Sequence, residues 1–245
     1  GRIFDALEQK GVMDDLAVVI SSDHGENMGE LGIYGEHGTA DHATCRIPMI
    51  VRWPGGMKGH VDTQLHYNLD FLPTLSELLE ADASEEASRW DGESFASSIT
   101  GGAESGREYL VLSQCAHVAQ RSVRFGPWLY MRTYHDGFHP HYEREMLFNI
   151  DEDCHETRNM ADSRKDICKE AVYRLCDWHD TMMATMPFKD KSDPLWTVLQ
   201  ENGPFHAMLY NLEQSNYLKH LKETGREDGI KALLDRHPEI EGLLD

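Results

Sequence analysis

The sequence predicts an α/β fold: the C-terminal part of a mixed sheet sandwiched by helices, then a small antiparallel sheet and a helical tail. Three observations support it. A helical pattern leads into a short apolar run rich in β-branched residues at residues 16–20. Four strand-like segments follow residue 109, and helical spacing dominates after residue 165. A helix that leads into a buried strand is typical of α/β units.

The first elements follow from apolar spacing and punctuation. Residues 3–10 have apolar residues at helical spacing, and Gly11 ends that helix. The run at 16–20 suits a strand covered on both faces by helices. Residues 48–53 predict a second buried strand. Asp70 is expected to cap a helix that tolerates a proline in its first turn.

The later part of the chain changes character. Residues 81–108 are rich in Ser, Gly and Glu and predict a loop with a short helix. Strands of an antiparallel sheet are predicted at 109–113, 122–125, 128–133 and 146–149. Gly126 and Pro127 are expected to form a hairpin turn, residues 166–186 an amphipathic helix, and residues 197–245 further helices.

The chain is therefore predicted to contain three domains. Residues 1–108 form the C-terminal part of a catalytic α/β domain, residues 109–162 a small antiparallel subdomain, and residues 163–245 a helical C-terminal extension. The extension is expected to serve as a lid at the rim of a pocket or as a subunit contact, and the sequence favours neither.

Composition excludes two classes of partner. The formal net charge is −20, which opposes binding to nucleic acid and docking on an anionic membrane surface. The sequence has no apolar run of the ~20 residues needed to cross a membrane. The five cysteines have no Cys-x-x-Cys spacing, and no Asn-x-Ser/Thr acceptor occurs. Reduced thiols without glycosylation favour the cytoplasm.

The most informative motif is Ser22-Asp23-His24-Gly25-Glu26, directly after the first predicted strand. Ligand sites of open α/β sheets lie just beyond the carboxyl ends of strands. Asp23 and His24 can face one cation there, because Gly25 allows a tight turn. The alternative is an ordinary polar turn, with Asp23 accepting loop N–H bonds and His24 on the surface.

The longer pattern resembles the sulfatase branch of the alkaline phosphatase superfamily. The resemblance covers about residues 1–162 and depends on motifs in a specific order: Ser22 to Glu26, Gly29 to Gly32, Arg46 to Pro48, the run 50–56, the run 70–75, the run 91–95, and the stretch 147–159. It implies an alkaline-phosphatase-like fold. It also implies that Asp23 and His24 are two ligands of a divalent cation, usually Ca²⁺, that holds the sulfate oxygens.

The family's nucleophile motif is absent from these residues. The family motif is Cys or Ser followed by x-Pro or x-Ala and x-Arg, whereas Cys45-Arg46-Ile47-Pro48 has Pro and Arg in the wrong order. The early strand with paired aspartates is also missing. The chain therefore resembles the C-terminal portion of a longer enzyme, and formylglycine is expected in the N-terminal half. Alone, the chain is expected to be inactive.

One departure from the family concerns the leaving group. Many relatives place a Lys after the ligand pair, where ungapped counting puts Glu36 here, and no Lys occurs between Asp23 and Lys58. A carboxylate facing a sulfate is repelled. We therefore predict His37 as the catalytic and substrate-binding residue, since imidazole can protonate a leaving oxygen near neutral pH. The alternative is that His37 only orders the loop.

Neighbouring residues add further hypotheses. Asp41 and His42 lie close behind His37 and are candidates to orient it. His24 stands where relatives carry Asn, and an imidazole ligand keeps Mn²⁺ or another transition metal as an alternative to Ca²⁺. Predicted loops and strands after residue 109 supply three candidate substrate contacts, although loop histidines are more often solvated: His117, His135 and Arg121.

The resemblance implies a sulfuric ester hydrolase whose substrate is a sulfated small molecule or sugar. A phosphonate monoester or phosphodiester hydrolase is the closest alternative, because a tetrahedral anion bound by a cation is similar with sulfur or phosphorus at its centre. A non-catalytic truncated fragment is the third. A homo-oligomer is compatible with all three.

Overall fold

The computed structural model of the chain describes residues 1–83, 85, 87–101, 105–137, 139, 141–187, 192–201, 203–204, 218–219 and 221–243. Main-chain contacts divide the chain into two compact units. The first comprises Gly1–Asp23 and Ile47–Leu110, and the second comprises His24–Arg46 and Val111–Asp245. The predicted three-domain division stays a prediction.

The first unit contains a two-stranded antiparallel sheet. Strands β1 (Val18–Ser21) and β4 (Met49–Arg52) pair with Val18 opposite Arg52. Both strands lie where the apolar runs predicted them. Their expected burial is wrong for this chain, because the exposed fractions of Ile20 and Ile50 are 46% and 60%.

The described residues of the first unit also form the α-helices α1 (Arg2–Gln9), α3 (Phe71–Leu78) and α4 (Ala96–Thr100). Asp70 precedes α3, but the predicted cap is wrong, since its side chain makes no bond to the helix N-terminus. The buried Asp70 carboxylate instead accepts hydrogen bonds from Arg107, from the Tyr67 amide and from the Glu93 amide. The bond from the Tyr67 amide closes the N-terminus of the 3-10 turn Asn68–Asp70, which leads directly into α3.

The second unit is organised around a four-stranded sheet in the order β5-β6-β7-β8. The strands are β5 (Tyr109–Gln114), β6 (Ala119–Phe125), β7 (Trp128–His135) and β8 (Glu145–Asn149). β7 pairs antiparallel with β6 and with β8. The structure confirms the four predicted strands and the hairpin turn at residues 126–127. Fully buried side chains such as Leu129, Met131 and Phe148 form its core.

A small hairpin and a short helix complete the part of this unit that carries the site. Strands β2 (Asn27–Met28) and β3 (Tyr34–Glu36) pair antiparallel. Helix α2 (His42–Cys45) follows directly. The connection between the strands uses a left-handed backbone at Leu31 and at its glycine neighbours, which turns the chain within a few residues.

Among the described residues, the C-terminal part contains α5 (Lys165–Thr185), α6 (Pro194–Gln200) and α7 (Glu227–Arg236). α5 confirms the predicted amphipathic helix. The helical pattern between residues 205 and 217 lies outside the described residues. Behind α7, His237 Nε2 lies 2.8 Å from Asp136 Oδ1, which joins the tail to the loop after β7. Among the described helices, none has the length and apolarity to span a membrane.

Candidate cation and catalytic site

The hairpin register brings Glu26 and His37 together. Asn27 pairs with Glu36, so the next residues outward, Glu26 and His37, lie opposite each other. His37 Nδ1 is 3.2 Å from Glu26 Oε2. A carboxylate on Nδ1 fixes which ring nitrogen carries the proton and leaves Nε2 to face solvent or substrate.

His24 completes the cluster, because residues two apart on an extended chain share a face. Its ring stacks on His37 with centroids 3.7 Å apart and an interplanar angle of 11°. His24 Nδ1 lies 2.7 Å from the Gly25 carbonyl oxygen and 3.9 Å from Glu26 Oε2. An Nδ1–H bond to a backbone carbonyl fixes the tautomer in which Nε2 carries the lone pair.

His24, Glu26 and His37 are able to share one metal ion. Each offers a donor atom, and these atoms lie within 4.8 Å of one another. Their side chains are 39%, 40% and 48% exposed, so the donors remain accessible from solvent. Two imidazole nitrogens and one carboxylate oxygen form a donor set that suits Zn²⁺, Mn²⁺ or Fe²⁺ better than the all-oxygen preference of Ca²⁺. The residues present therefore fit a divalent cation.

Gly25 explains how the chain enters this cluster. Its amide donates to the Thr44 carbonyl at 2.7 Å. A Cβ at this position would lie 1.8 Å from the Ala43 carbonyl oxygen, so no larger residue fits. The glycine of the motif thus holds the site strand against α2.

A buried polar network supports the hairpin from behind. Asp41 is fully buried and accepts from the Thr44 amide at 2.8 Å, which caps α2. Its other oxygen accepts from Thr39, from Asn27 Nδ2 at 3.1 Å and from the Tyr142 hydroxyl at 3.3 Å. Burial raises the pKa of Tyr142, so this hydroxyl keeps its proton and remains a donor. The network joins β2 and α2 to Tyr142, which lies just before β8.

Replacing Asn27 with alanine is expected to loosen this support. Asn27 Nδ2 contacts Thr39, Asp41 and Thr44 within 3.1 Å, and loss of these bonds inside a buried site costs about 3 kcal/mol. Hydrogen exchange of residues 39–45 should accelerate, while the exposed control Asn68→Ala leaves it unchanged. Equal protection in Asn27→Ala and the parent protein would contradict the role assigned to the network.

Two ionisable groups flank the start of α2. The buried Glu156 carboxylate accepts from the His42 amide, with both oxygens at 3.2 Å. Burial, together with the nearby Asp41 carboxylate, raises the pKa of Glu156 to about 8. Burial also lowers the pKa of His42 to about 4. Both side chains are therefore largely neutral at neutral pH.

Cys45 lies at the end of α2 and is a poor nucleophile in this setting. Burial and the Asp41 carboxylate raise the pKa of its thiol to about 12. Thiolate, rather than thiol, is the nucleophilic form. This agrees with the interpretation that the Cys45-Arg46-Ile47-Pro48 segment is not a nucleophile motif.

The structure corrects one hypothesis about His37. Asp41 and His42 were candidates to orient it, but Asp41 bonds inside the buried network, whereas a role for the His42 ring stays a prediction. The carboxylate on His37 is Glu26, the last residue of the Ser22 to Glu26 motif. The motif contains Glu26, but only the register of the β2–β3 hairpin shows that Glu26 pairs with His37. The sharing of one cation by Asp23 and His24 stays a prediction.

Each of the three predicted substrate contacts bonds a protein group other than His24, Glu26 and His37. His117 is nine-tenths buried, with Nε2 2.9 Å from Glu36 Oε2. Arg121 is buried, with Nη2 2.6 Å from Asp193 Oδ1, and its guanidinium lies over the Trp178 ring. His135 Nδ1 accepts from the Gly137 amide at 3.0 Å. Each has a protein partner, and contact with a substrate stays a prediction for all three.

Comparison with known proteins shows similarity to sulfatases. The sequence model of the sulfatase family matches residues 1–81. The chain is 27% identical over 174 residues to a choline-sulfatase from Rhizobium meliloti, across 70% of this chain and 32% of that protein. The chain is thus similar to sulfatases over most of its length, with the family model matching its first 81 residues. It spans about a third of the length of the curated relatives it matches.

Solved structures confirm the alkaline-phosphatase-like fold. BT4656, described in complex with its substrate D-glucosamine-2-N,6-O-disulfate, is similar with a TM-score of 0.64 and 19% identity, over 78% of this chain and 39% of that one. A phosphonate monoester hydrolase from Silicibacter pomeroyi has a TM-score of 0.60 and 22% identity, over 76% and 38%. At these identities the likeness establishes the fold alone.

Proposed function

We propose that the protein hydrolyses sulfate esters and that this chain provides the leaving-group side of the reaction. The observation that supports this is the His37–Glu26 pair beside His24, within a sulfatase-family motif. Glu26 accepts a hydrogen bond from Nδ1–H of His37 and so stabilises the doubly protonated ring. This imidazolium transfers its Nε2 proton to the departing alcohol oxygen and is left neutral, with its remaining proton on Nδ1. The resemblance implies attack on sulfur by a formylglycine hydrate.

The site also requires positive charge. Residues 24–45 contain no Lys or Arg, so the sulfate has no fixed cation on this hairpin. A divalent ion held by His24, with Asp23 or Glu26, would offset the sulfate charge when bound. Ca²⁺ is the family expectation. The two imidazoles favour Mn²⁺ or a related transition metal.

Direct turnover measurements test the proposal. The native protein, stripped with chelator, is assayed on an aryl sulfate and on an aryl phosphonate monoester after addition of Ca²⁺, Mn²⁺ or Zn²⁺. We expect faster cleavage of the sulfate. Faster cleavage of the phosphonate would overturn this and favour the second candidate, which the fold likeness to the phosphonate hydrolase supports. Cleavage of neither substrate with any ion would support a non-catalytic role.

We further propose that the isolated 245 residues are inactive. Three donors are about half of the six or more ligands that hard cations prefer, so Ca²⁺ should bind weakly. Calorimetric titration of the purified chain with Ca²⁺, together with the aryl sulfate assay, tests this. Clear sulfate ester hydrolysis by the purified chain would refute it.

The substrate class is proposed as a sulfated small molecule or sugar. Choline-sulfatase and sugar sulfatases are among the similar proteins. Screening the native protein against choline sulfate and a panel of sulfated monosaccharides would rank these classes by kcat/KM.

A further inference from the structure

We propose that His117 is a positioning residue that fixes the place of His37. His117 lies between β5 and β6, far from the hairpin in sequence, yet its ring contacts the residues on both sides of His37. Its Nε2 is 2.9 Å from Glu36 Oε2. On the other side, a Cβ at Gly38 would lie 2.0 Å from His117 Cδ2. Residues 36 and 38 are thus both held against one buried ring.

The contact with the His117 ring also determines the direction of the Glu36 side chain. Successive side chains of an extended strand alternate between faces. Glu36 therefore faces His117, whereas His37 faces Glu26. The arrangement turns the Glu36 carboxylate away from the position where it would repel an anionic substrate. The residue that aligns with the family's lysine by ungapped counting is thereby removed from the chemistry, and the next residue takes its place.

A second anchor lies four residues further along the chain. The Ala40 amide donates to Gln120 Oε1 at 3.1 Å, and Gln120 Nε2 donates to Thr133 Oγ1 at 3.0 Å. Gln120 is fully buried. The segment from residue 36 to residue 40 is therefore fixed at both ends by residues 117 and 120. Such anchoring limits the freedom of His37, whose own side chain is half exposed.

The role of His117 is distinct from substrate contact. Its ring is nine-tenths buried, and its Nε2 faces a protein carboxylate. Loss of the ring should leave His24 and Glu26 in place but free the segment that carries His37. The catalytic consequence depends on the proposed function, whereas the positioning itself does not.

Nuclear magnetic resonance of the histidine rings tests the positioning directly. In the native protein with ¹⁵N-labelled histidine, His37 should show one dominant tautomer, with the proton on Nδ1. His117→Ala should average the His37 signals between tautomers. His117→Gln, whose amide nitrogen can reach Glu36 as Nε2 does, should restore the parent pattern. His155→Ala is the matched control, because His155 is exposed and bonds Glu30 instead.

Turnover provides a second measurement. We expect His117→Ala to lower kcat by about 10²-fold with little change in KM, since small misplacement of a catalytic group has that effect. His117→Gln should recover most of the rate. Unchanged His37 resonances in a folded His117→Ala variant would overturn the positioning role. If the parent protein hydrolyses no sulfate ester, the proposed function fails, and the tautomer measurement still decides the role of His117.

Discussion

Replacing His37 with alanine in the native protein is expected to slow hydrolysis of alkyl sulfate esters by about 10²- to 10⁴-fold, the usual contribution of a general acid. The reason is that the protonated His37 ring, whose Nδ1 lies 3.2 Å from Glu26 Oε2, donates the proton on Nε2 to the leaving oxygen. An alkoxide leaves slowly without a proton. An aryl oxide with a low conjugate-acid pKa leaves without help, so aryl sulfates should lose much less rate.

The dependence on the leaving group separates an acid from a metal ligand. If His37 acts as the acid, His37→Ala should slow alkyl substrates selectively and leave cation affinity nearly intact. If His37 is a ligand, as its place among the three donors allows, all substrates should slow equally and cation affinity should fall as it does in His24→Ala. Calorimetric titration with Mn²⁺ and a series of leaving groups give both measurements. His155→Ala, at an exposed residue bonded to Glu30, is the control.

Raising the pH from 6.5 to about 8 is expected to destabilise the fold by about 2 kcal/mol, because Glu156 must then ionise in a buried site. Its pKa is raised from 4.5 to about 8. An acid with a raised folded-state pKa contributes stability that is complete below the unfolded value and is lost as the pH rises through the folded value. His42 acts oppositely at lower pH: its pKa falls from 6.5 to about 4, so its contribution is lost as the pH falls through that range.

Urea unfolding of the parent protein and Glu156→Gln at several pH values measures this effect. The variant carries no titratable group at this position, so its stability should change little from pH 6.5 to about 9. Above pH 8 it should be more stable than the parent. Glu152→Gln is the control, because it alters an exposed carboxylate four residues before Glu156. Its free energy of unfolding should depend on pH as that of the parent does. An identical slope in Glu156→Gln and the parent would contradict the assignment.

Much of the fold was predictable from local sequence. The β-branched run at 18–20, the alternating segments after residue 109 and the helical spacing at 165–185 each encode their structure within a few residues. The motif Ser22 to Glu26 likewise indicated where the candidate site lies, since it places His24 and Glu26 at fixed spacing. The solvent exposure of β1 was not predictable in this way, because it depends on which segments cover the strand and not on the strand's own residues.

What the sequence by itself indicated was the kind of chemistry: a motif similar to that of sulfatases, a histidine next to the place of the family's lysine, and a net charge that opposes binding to nucleic acid. Only the tertiary structure decided which side chains contact one another. The hairpin register put Glu26, rather than Asp41 or His42, on His37, and His117 reached Glu36 from 81 residues away in sequence. Local spacing specifies which groups a segment offers. Which of them meet depends on register and packing between segments, which no short stretch of sequence contains.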